Sequence, residues 1–404
     1  MKLVVLPLSA ALLVACTAST QPTPAPPSDA AAQAQTAVAQ LNARNPAASQ
    51  PGPQLPPPVP TLPPAAQGTA RGSAPTSGAQ ALAAAKVDGR IVVARDDAIA
   101  IIENGQVRPV FKVEPGGSIK DPVFSPDGKT IAFAYAPPRP KVQPGRPIVD
   151  QLLFSDIMAV DADGSNAHAL AQHDAPGAIL ETPAWTPDGK AILYSYYAPT
   201  YKGEELVDEK LEVRRRDVGG GQATTLVKNA SNPAVSRDGK WLAYIGEDQD
   251  QGQSLHVQPV GGGDDRLLVK PDRFASILAP RFSPDGKTIA FSASDVSPSL
   301  TPSAPSSQPK AASPFDGLRA LLEPGRAEAH GLPWEIWSVP TAGGAVKQMT
   351  QIQEDTPYVA WAASGSRMLV YGAGGLYLVD VAANKSTILS SDGSHGGMDW
   401  RSGS

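Results

Sequence analysis

Four near-identical stretches constrain this chain more than anything else in its sequence. They read Pro122-Val-Phe-Ser-Pro-Asp-Gly-Lys-Thr-Ile-Ala-Phe133, Pro183-Ala-Trp-Thr-Pro-Asp-Gly-Lys-Ala-Ile-Leu-Tyr194, Pro233-Ala-Val-Ser-Arg-Asp-Gly-Lys-Trp-Leu-Ala-Tyr244 and Pro280-Arg-Phe-Ser-Pro-Asp-Gly-Lys-Thr-Ile-Ala-Phe291. A worn fifth copy runs Val359-Ala-Trp-Ala-Ala-Ser-Gly-Ser-Arg-Met-Leu-Val370. Each opens with a short strand that carries Phe124, Trp185, Phe282 or Trp361, with Val235 as the exception. Pro-Asp-Gly then reverses the chain, because Pro fixes φ and Gly accepts a positive one. The second strand is nearly all apolar, as expected where a sheet is covered on both faces. Third strands follow at Ile157–Val160, Leu211–Arg215, Leu255–Gln258, Ile336–Val339 and Leu376–Val379. Glycine-rich turns, such as Gly219-Gly220-Gly221, lead to a fourth. Four antiparallel strands, repeated, are the pattern of a β-propeller.

The turn glycines 128, 189, 239, 286 and 365 are spaced by 61, 50, 47 and 79 residues. A blade needs about 40–45 residues, so the widest spacings must contain insertions. Near the C-terminus, Gly397-Met-Asp-Trp400 matches the first strand of the repeat. Near residue 90, Arg90–Arg95, Ala98–Glu103 and Val107–Val113 supply three strands with no first strand before them. Joined, they make one composite blade, and a closed ring leaves no open sheet edge. The expected fold is therefore all-β: a six-bladed β-propeller closed by a C-terminal strand joining three N-terminal strands. Seven blades is the alternative count.

The repeat resembles the WD40-like Pro-Asp-Gly-Lys family found in TolB-like propellers, over residues 88–401 and most specifically in four copies. The chain departs from that family's type member in having no folded α/β domain ahead of the ring, so the type member's partner is not carried over.

The segment before the ring is of another kind. Met1-Lys2 is followed by an apolar run from Leu3 to Val14. As a helix it would rise about 18 Å, short of a bilayer core of about 30 Å, which marks a signal region and not a membrane span. It ends in Leu13-Val14-Ala15-Cys16, which resembles the lipobox of bacterial lipoproteins; Cys16 is the only cysteine. The resemblance implies a signal peptide over 1–15 and a diacylated, N-acylated Cys16. With Thr17 next, it implies the outer membrane of a host that has one. Several acyl chains anchor firmly where one is marginal. Between Thr17 and Ala85 lie fourteen prolines and only three charged residues, Asp29, Arg44 and Arg71. Such a segment has little to bury against its ordering entropy, so 16–87 is expected to be a disordered tether and 88–404 the folded body.

The long insertions, Ala136–Phe154, Ala198–Asp208 and Ser294–Trp334, all fall between second and third strands and so decorate one face, away from the tether. Irregular loops on a rigid scaffold commonly carry function. Arg139, Lys141 and Arg146 stand among prolines in the first; Tyr197 and Tyr201 precede an acidic run in the second. Phe315, Leu318, Leu321 and Leu322 recur at helical spacing in the third, predicting a short amphipathic helix over 314–323 as a lid or a contact surface. Trp334 follows it. Arg139, Lys141, Arg146, Tyr197, Tyr201, Phe315, Leu318 and Trp334 form the candidate binding face.

Chemistry is sparser. The five histidines show no metal-ligand spacing, and no Gly-x-Ser-x-Gly elbow is present. Asp161-Ala-Asp163-Gly164 lacks the later acidic ligand of a calcium loop. A net charge of -5 argues against nucleic-acid binding. The expectation is a monomeric, non-enzymatic, lipid-anchored propeller without cofactor or metal that binds an envelope protein. A small-ligand or glycan sensor at the propeller mouth is the alternative; a propeller lyase or hydrolase is the remaining one.

Overall fold

A hydroxyl, a carboxylate and a glycine build each repeat turn. The side chains of Ser125, Thr186, Ser236 and Ser283 donate to Asp127, Asp188, Asp238 and Asp285 at 2.6–2.7 Å. The same hydroxyls accept the backbone N–H five residues on, from Thr130, Ala191, Trp241 and Thr288, at 2.9–3.0 Å. Each aspartate also accepts the N–H of the following lysine at 3.0–3.1 Å. The glycines at 128, 189, 239 and 286 sit at φ between 68° and 73°, a region that side chains disfavour. In the fifth copy Ala362 brings no hydroxyl, and Ser364 and Ser366 pair with each other at 2.8 Å instead.

The computed structural model describes residues 78–95, 97–138, 152–203, 205–248, 252–295 and 333–401, all within one compact unit, Ser73–Ser404. Cys16, Arg139, Lys141, Arg146, Phe315 and Leu318 lie outside the described residues, as does nearly all of the tether.

A short helix, α1 (Gly78–Ala84), precedes the strands. Blade one opens with β1 (Arg90–Ala94), β2 (Ala98–Glu103) and β3 (Gln106–Lys112). Blade two is β4 (Ser118–Phe124), β5 (Thr130–Ala136), β6 (Asp156–Asp161) and β7 (His168–Ala171). Blade three is β8 (Ile179–Trp185), β9 (Ala191–Lys202), β10 (Glu205–Asp217) and β11 (Thr224–Lys228). Blade four is β12 (Ala230–Val235), β13 (Trp241–Asp248), β14 (Gly252–Pro259) and β15 (Arg266–Val269). Blade five is β16 (Phe274–Phe282), β17 (Thr288–Asp295), β18 (Trp334–Pro340) and β19 (Lys347–Gln348). Blade six is β20 (Tyr358–Trp361), β21 (Arg367–Gly372), β22 (Gly375–Asp380) and β23 (Lys385–Ser390). The last strand, β24 (Met398–Arg401), returns to blade one and pairs with β1, Ile91 opposite Trp400. Each blade is a four-stranded antiparallel sheet, and the closure is the one the orphan strands predicted.

Six apolar clusters join neighbouring blades around the ring. Ile101 and Phe133 sit between blades one and two, Leu180 and Ala134 between two and three, and Leu193 and Leu242 between three and four. Ile245 and Phe291 join four to five, Ile336 and Val370 five to six, and Leu369 and Trp400 six to one. The second strands are mostly apolar because each face of each sheet packs on a neighbour.

Helix α1 falls in the stretch whose composition reads as tether. It packs on the seam between blades six and one, where Leu82 is buried. Arg367 of β21 donates to the carbonyls of Ala85 and Lys86 at 3.3 and 3.1 Å, satisfying backbone acceptors just past the helix C-terminus.

Candidate functional site

One of the three insertions is a hairpin and not a loop. Residues 198–208 continue the sheet as a long hairpin, with Tyr197 opposite Leu211 and Tyr201 opposite Leu206. Tyr197 is buried on Ile179 and Leu211, and its hydroxyl donates to Glu209. Tyr201 is half-buried, while Thr200, Lys202, Glu205, Val207 and Asp208 near the hairpin tip are exposed. Trp334 is buried at the start of β18, bridging to Glu354, so it supports the face from below. Asp163 caps Ser165 within the turn between β6 and β7, at 2.8 Å to its N–H, which gives the Asp161–Gly164 run a hairpin role.

A cavity opens on the opposite face, among the Pro-Asp-Gly turns. It is a funnel of about 820 Å³, a size that suits a small ligand. Pro126, Pro187, Arg237, Pro284 and Ala363 stand at its rim. Phe124, Trp185, Val235, Phe282, Trp361 and Trp400 wall it, one from each first strand. Val123, Ala184, Ala234, Arg281, Ala360 and Asp399, each one residue earlier, also line it. The repeated aromatic was visible in the sequence, but that its five copies share one funnel with Val235 was not.

The funnel ends above a third ring: Asp121, Thr182, Asn232, Ala279, Tyr358 and Gly397. At five of these six positions φ is positive, between 50° and 88°, and the register shifts beside Asp121, Thr182, Asn232 and Ala279 mark bulges. Bulges re-aim the chain, here turning polar groups toward one another between blades. Thr182 N–H donates to Asp121 at 3.1 Å, Ala279 N–H to the Asn232 side chain at 3.2 Å, and Asp121 N–H to the Gly396 carbonyl at 2.7 Å. Tyr358 of blade six reaches past blade one and donates its hydroxyl to Asp121 of blade two. Gly397 makes this reach possible: a Cβ there would lie 3.2 Å from the Tyr358 ring.

Burial pushes the Asp121, Glu181 and Asp399 carboxyls up; Lys120 counters it at Asp121 and Glu181, and the Phe124 N–H counters it at Asp399. Burial likewise pushes Tyr358 well above its ordinary value. Glu247, at the end of β13, is pushed up to about 7 by burial. Gln253 and Ser231 donate to one of its oxygens at 2.9 and 3.1 Å, and the other oxygen has no donor among the described residues.

One cluster has the distances of a hydrolytic triad. Ser254 Oγ lies 3.0 Å from His256 Nε2, and His256 Nδ1 lies 2.6 Å from Asp265. Tyr244 stacks on the imidazole and donates to the same aspartate at 2.8 Å. Ser254 is only 5% exposed, packed where Gly246 leaves room for its hydroxyl. The sequence signal was Ser-x-His on one strand, which puts both side chains on one face; the distant Asp265 gave none.

No protein-family model matches the chain, and no curated protein matches it. Solved structures are similar in fold. A nidogen/laminin complex aligns with a TM-score of 0.50 at 12% identity, over 77% of this chain and 97% of that one. TolB from Acinetobacter baumannii aligns with a TM-score of 0.49 at 16% identity, over 77% of this chain and 66% of that one. An oligogalacturonate lyase in complex with manganese aligns with a TM-score of 0.38 at 12% identity, over 75% of this chain and 86% of that one.

Proposed function

We propose that this protein is a lipid-anchored, non-enzymatic binding propeller of the cell envelope, holding a protein partner on its insertion face. The observation that carries the reading is the β9–β10 hairpin. It extends the sheet at the end opposite the Pro-Asp-Gly turns, with Val207 51% exposed among charged neighbours. The connections over 136–156 and 295–334 leave from that same end. A rigid ring with a projecting hairpin suits partner binding, because little order has to be gained on contact. Helix α1 leads into the ring at the turn face, opposite the hairpin.

Photo-crosslinking residues at Thr200 and Val207, with one at Lys190 on the turn face, test the contact in living cells. Discrete adducts from the hairpin positions and none from Lys190 are expected. Absence of hairpin adducts, or the same adducts from all three, refutes it. Cys16→Ser tests the anchor separately: the protein should leave the membrane fraction, and its retention there overturns the lipoprotein assignment.

The Ser254–His256–Asp265 geometry favours a second reading, a serine hydrolase. A fluorophosphonate probe that labels the protein at Ser254 supports it. Failure to label the folded protein excludes it and leaves the cluster as a packed network between blades three and four.

A further inference from the structure

Six copies of the first strand and five of the turn show what the ring itself requires at each position, so residues that depart from the repeat identify themselves. At the position next to the aromatic wall the repeat uses Val123, Ala184, Ala234 and Ala360; blade five has Arg281 and blade one has Asp399. At the rim three copies use proline and the fifth Ala363, whereas blade four has Arg237. Blade four also replaces the aromatic with Val235.

Most charged groups at the funnel are accounted for by the fold. Asp399 accepts the N–H of Phe124 at 3.0 Å and of Trp400 at 2.9 Å, stapling the closing strand to blade two. Arg90 and Arg401 donate to the carbonyls of Gly128 and Ser125 at 2.7 and 3.1 Å, clamping the first turn to the composite blade. Arg281 differs. Its guanidinium makes one hydrogen bond among the described residues, to its neighbour's carbonyl, Pro280, at 2.9 Å; no described carboxylate comes within ion-pair distance, and its charge reaches Asp121 and Asp399 only from farther off. A guanidinium has five N–H donors, and a half-buried one with few acceptors is costly. The nearby carboxylates are occupied, Asp399 by two N–H groups and Asp121 by Thr182 and Tyr358. Arg237, on the adjacent blade, is exposed at the rim of the same funnel.

We propose that the turn-face funnel binds a carboxylate-bearing ligand that enters end-on. Arg281 holds the carboxylate near the floor, Arg237 draws it in at the rim, and Trp185, Phe282 and Trp361 flank the rest of the ligand. A planar guanidinium fork matches a carboxylate bidentately. The Tyr358–Asp121 ring closes the floor, so the funnel accepts the end of a molecule and not a threaded chain. The shortened wall at Val235 leaves room beside the two arginines. Two sources share this chemistry: a free small acid, such as a uronate, and the C-terminal carboxylate of a peptide. The inference uses the face opposite the proposed partner contact and stands apart from it.

Calorimetric titration of the full chain tests it in two arms. Glucuronate is compared with glucose, and the dipeptide Ala-Phe with its C-terminal amide. In at least one arm the acid should bind saturably and its neutral counterpart about tenfold more weakly, or worse. The responding arm identifies the source. Arg281→Gln should weaken binding of the acid by about tenfold or more, and Arg237→Ala by about threefold. Arg237 is exposed, so its substitution keeps the fold and remains informative if Arg281→Gln lowers stability. The proposal is overturned if neither acid binds saturably, if the neutral probes bind as well, or if neither substitution weakens binding.

Discussion

Trp400 offers the sharpest test of how the ring is held shut. It lies on the closing strand, is 5% exposed, and packs in the seam cluster with Leu82, Met398 and Leu369. Its indole N–H donates to the Asp88 carbonyl at 2.8 Å. Trp400→Ala should cost about 3–5 kcal/mol, the range for a buried aromatic truncated in a packed site. Against a total stability of about 5–15 kcal/mol, that loss opens a large part of the closure. Trp400→Phe keeps most of the packing and removes the hydrogen bond, so it should add about 0.5–1.5 kcal/mol to the cost of the smaller ring. Trp185 is the control, because its buried indole N–H has no acceptor among the described residues. Trp185→Phe loses similar ring area but relieves an unsatisfied donor, and should be near neutral. Urea unfolding followed by circular dichroism gives the differences, provided the slope with denaturant is unchanged. Trp400→Ala costing less than about 1 kcal/mol, or equal costs for the two Phe substitutions, would refute the reasoning.

Ser236→Ala strips the hydroxyl that joins Asp238 to the Trp241 N–H and should cost about 1–3 kcal/mol; Ser364→Ala in the worn copy should stay within about 0.5 kcal/mol, both read from urea midpoints. Gly397→Ala places a Cβ against Tyr358 at a φ of 88°, so it should lower the melting temperature more than Gly220→Ala in the open turn between β10 and β11. The turn aspartates 127, 188, 238 and 285 are held below their ordinary value, chiefly by the Ser or Thr hydroxyl. Their contribution is present above the unfolded pKa of about 3.9 and lost as pH falls through the lower folded values. Glu247 acts in the opposite sense: with its pKa raised to about 7, its protonation favours the folded state as pH falls from 7 toward the unfolded value, and the gain is lost as pH rises through 7. Stability should therefore peak in mild acid, and Glu247→Gln should flatten the slope between about pH 4.5 and 7. An unchanged slope in that variant would count against the assignment.

The ring was legible in the sequence because its signals are local. Ser125, Pro126, Asp127 and Gly128 make a turn with their own atoms, and the apolar run after it needs only neighbouring blades to explain it. The composite blade was legible as well, since an orphan first strand at Trp400 and three orphans from Arg90 have no other way to pair. Three things were not. Helix α1 has the helix propensity of its alanines but only seven residues, too few to hold alone, and it is fixed by Leu82 and Arg367, contacts with strands nearly three hundred residues away. The stretch over 198–208 reads as a loop in the sequence because Tyr201 and the acidic residues after it suggest solvated coil; cross-strand pairing of Tyr201 with Leu206 overrides that. The floor ring depends on bulges at Asp121, Thr182, Asn232 and Ala279, and bulges have no sequence signature apart from the proline that follows each.

In a repeat protein, regularity speaks for the fold and departure asks for a separate cause. Departure alone does not reveal that cause. Arg281 and Asp399 occupy the same position in different blades, and the sequence ranks them equally odd. Their hydrogen bonds separate them. Both oxygens of Asp399 are spent on backbone N–H groups at the closure, so a ring sealed by a strand from the far end of the chain explains its presence. No comparable seam passes Arg281, and alanine serves at the same position in blades three, four and six. The charge of Arg281 acts on Asp121 and Asp399 from a distance, but no described carboxylate holds its fork, and a ligand should answer to it.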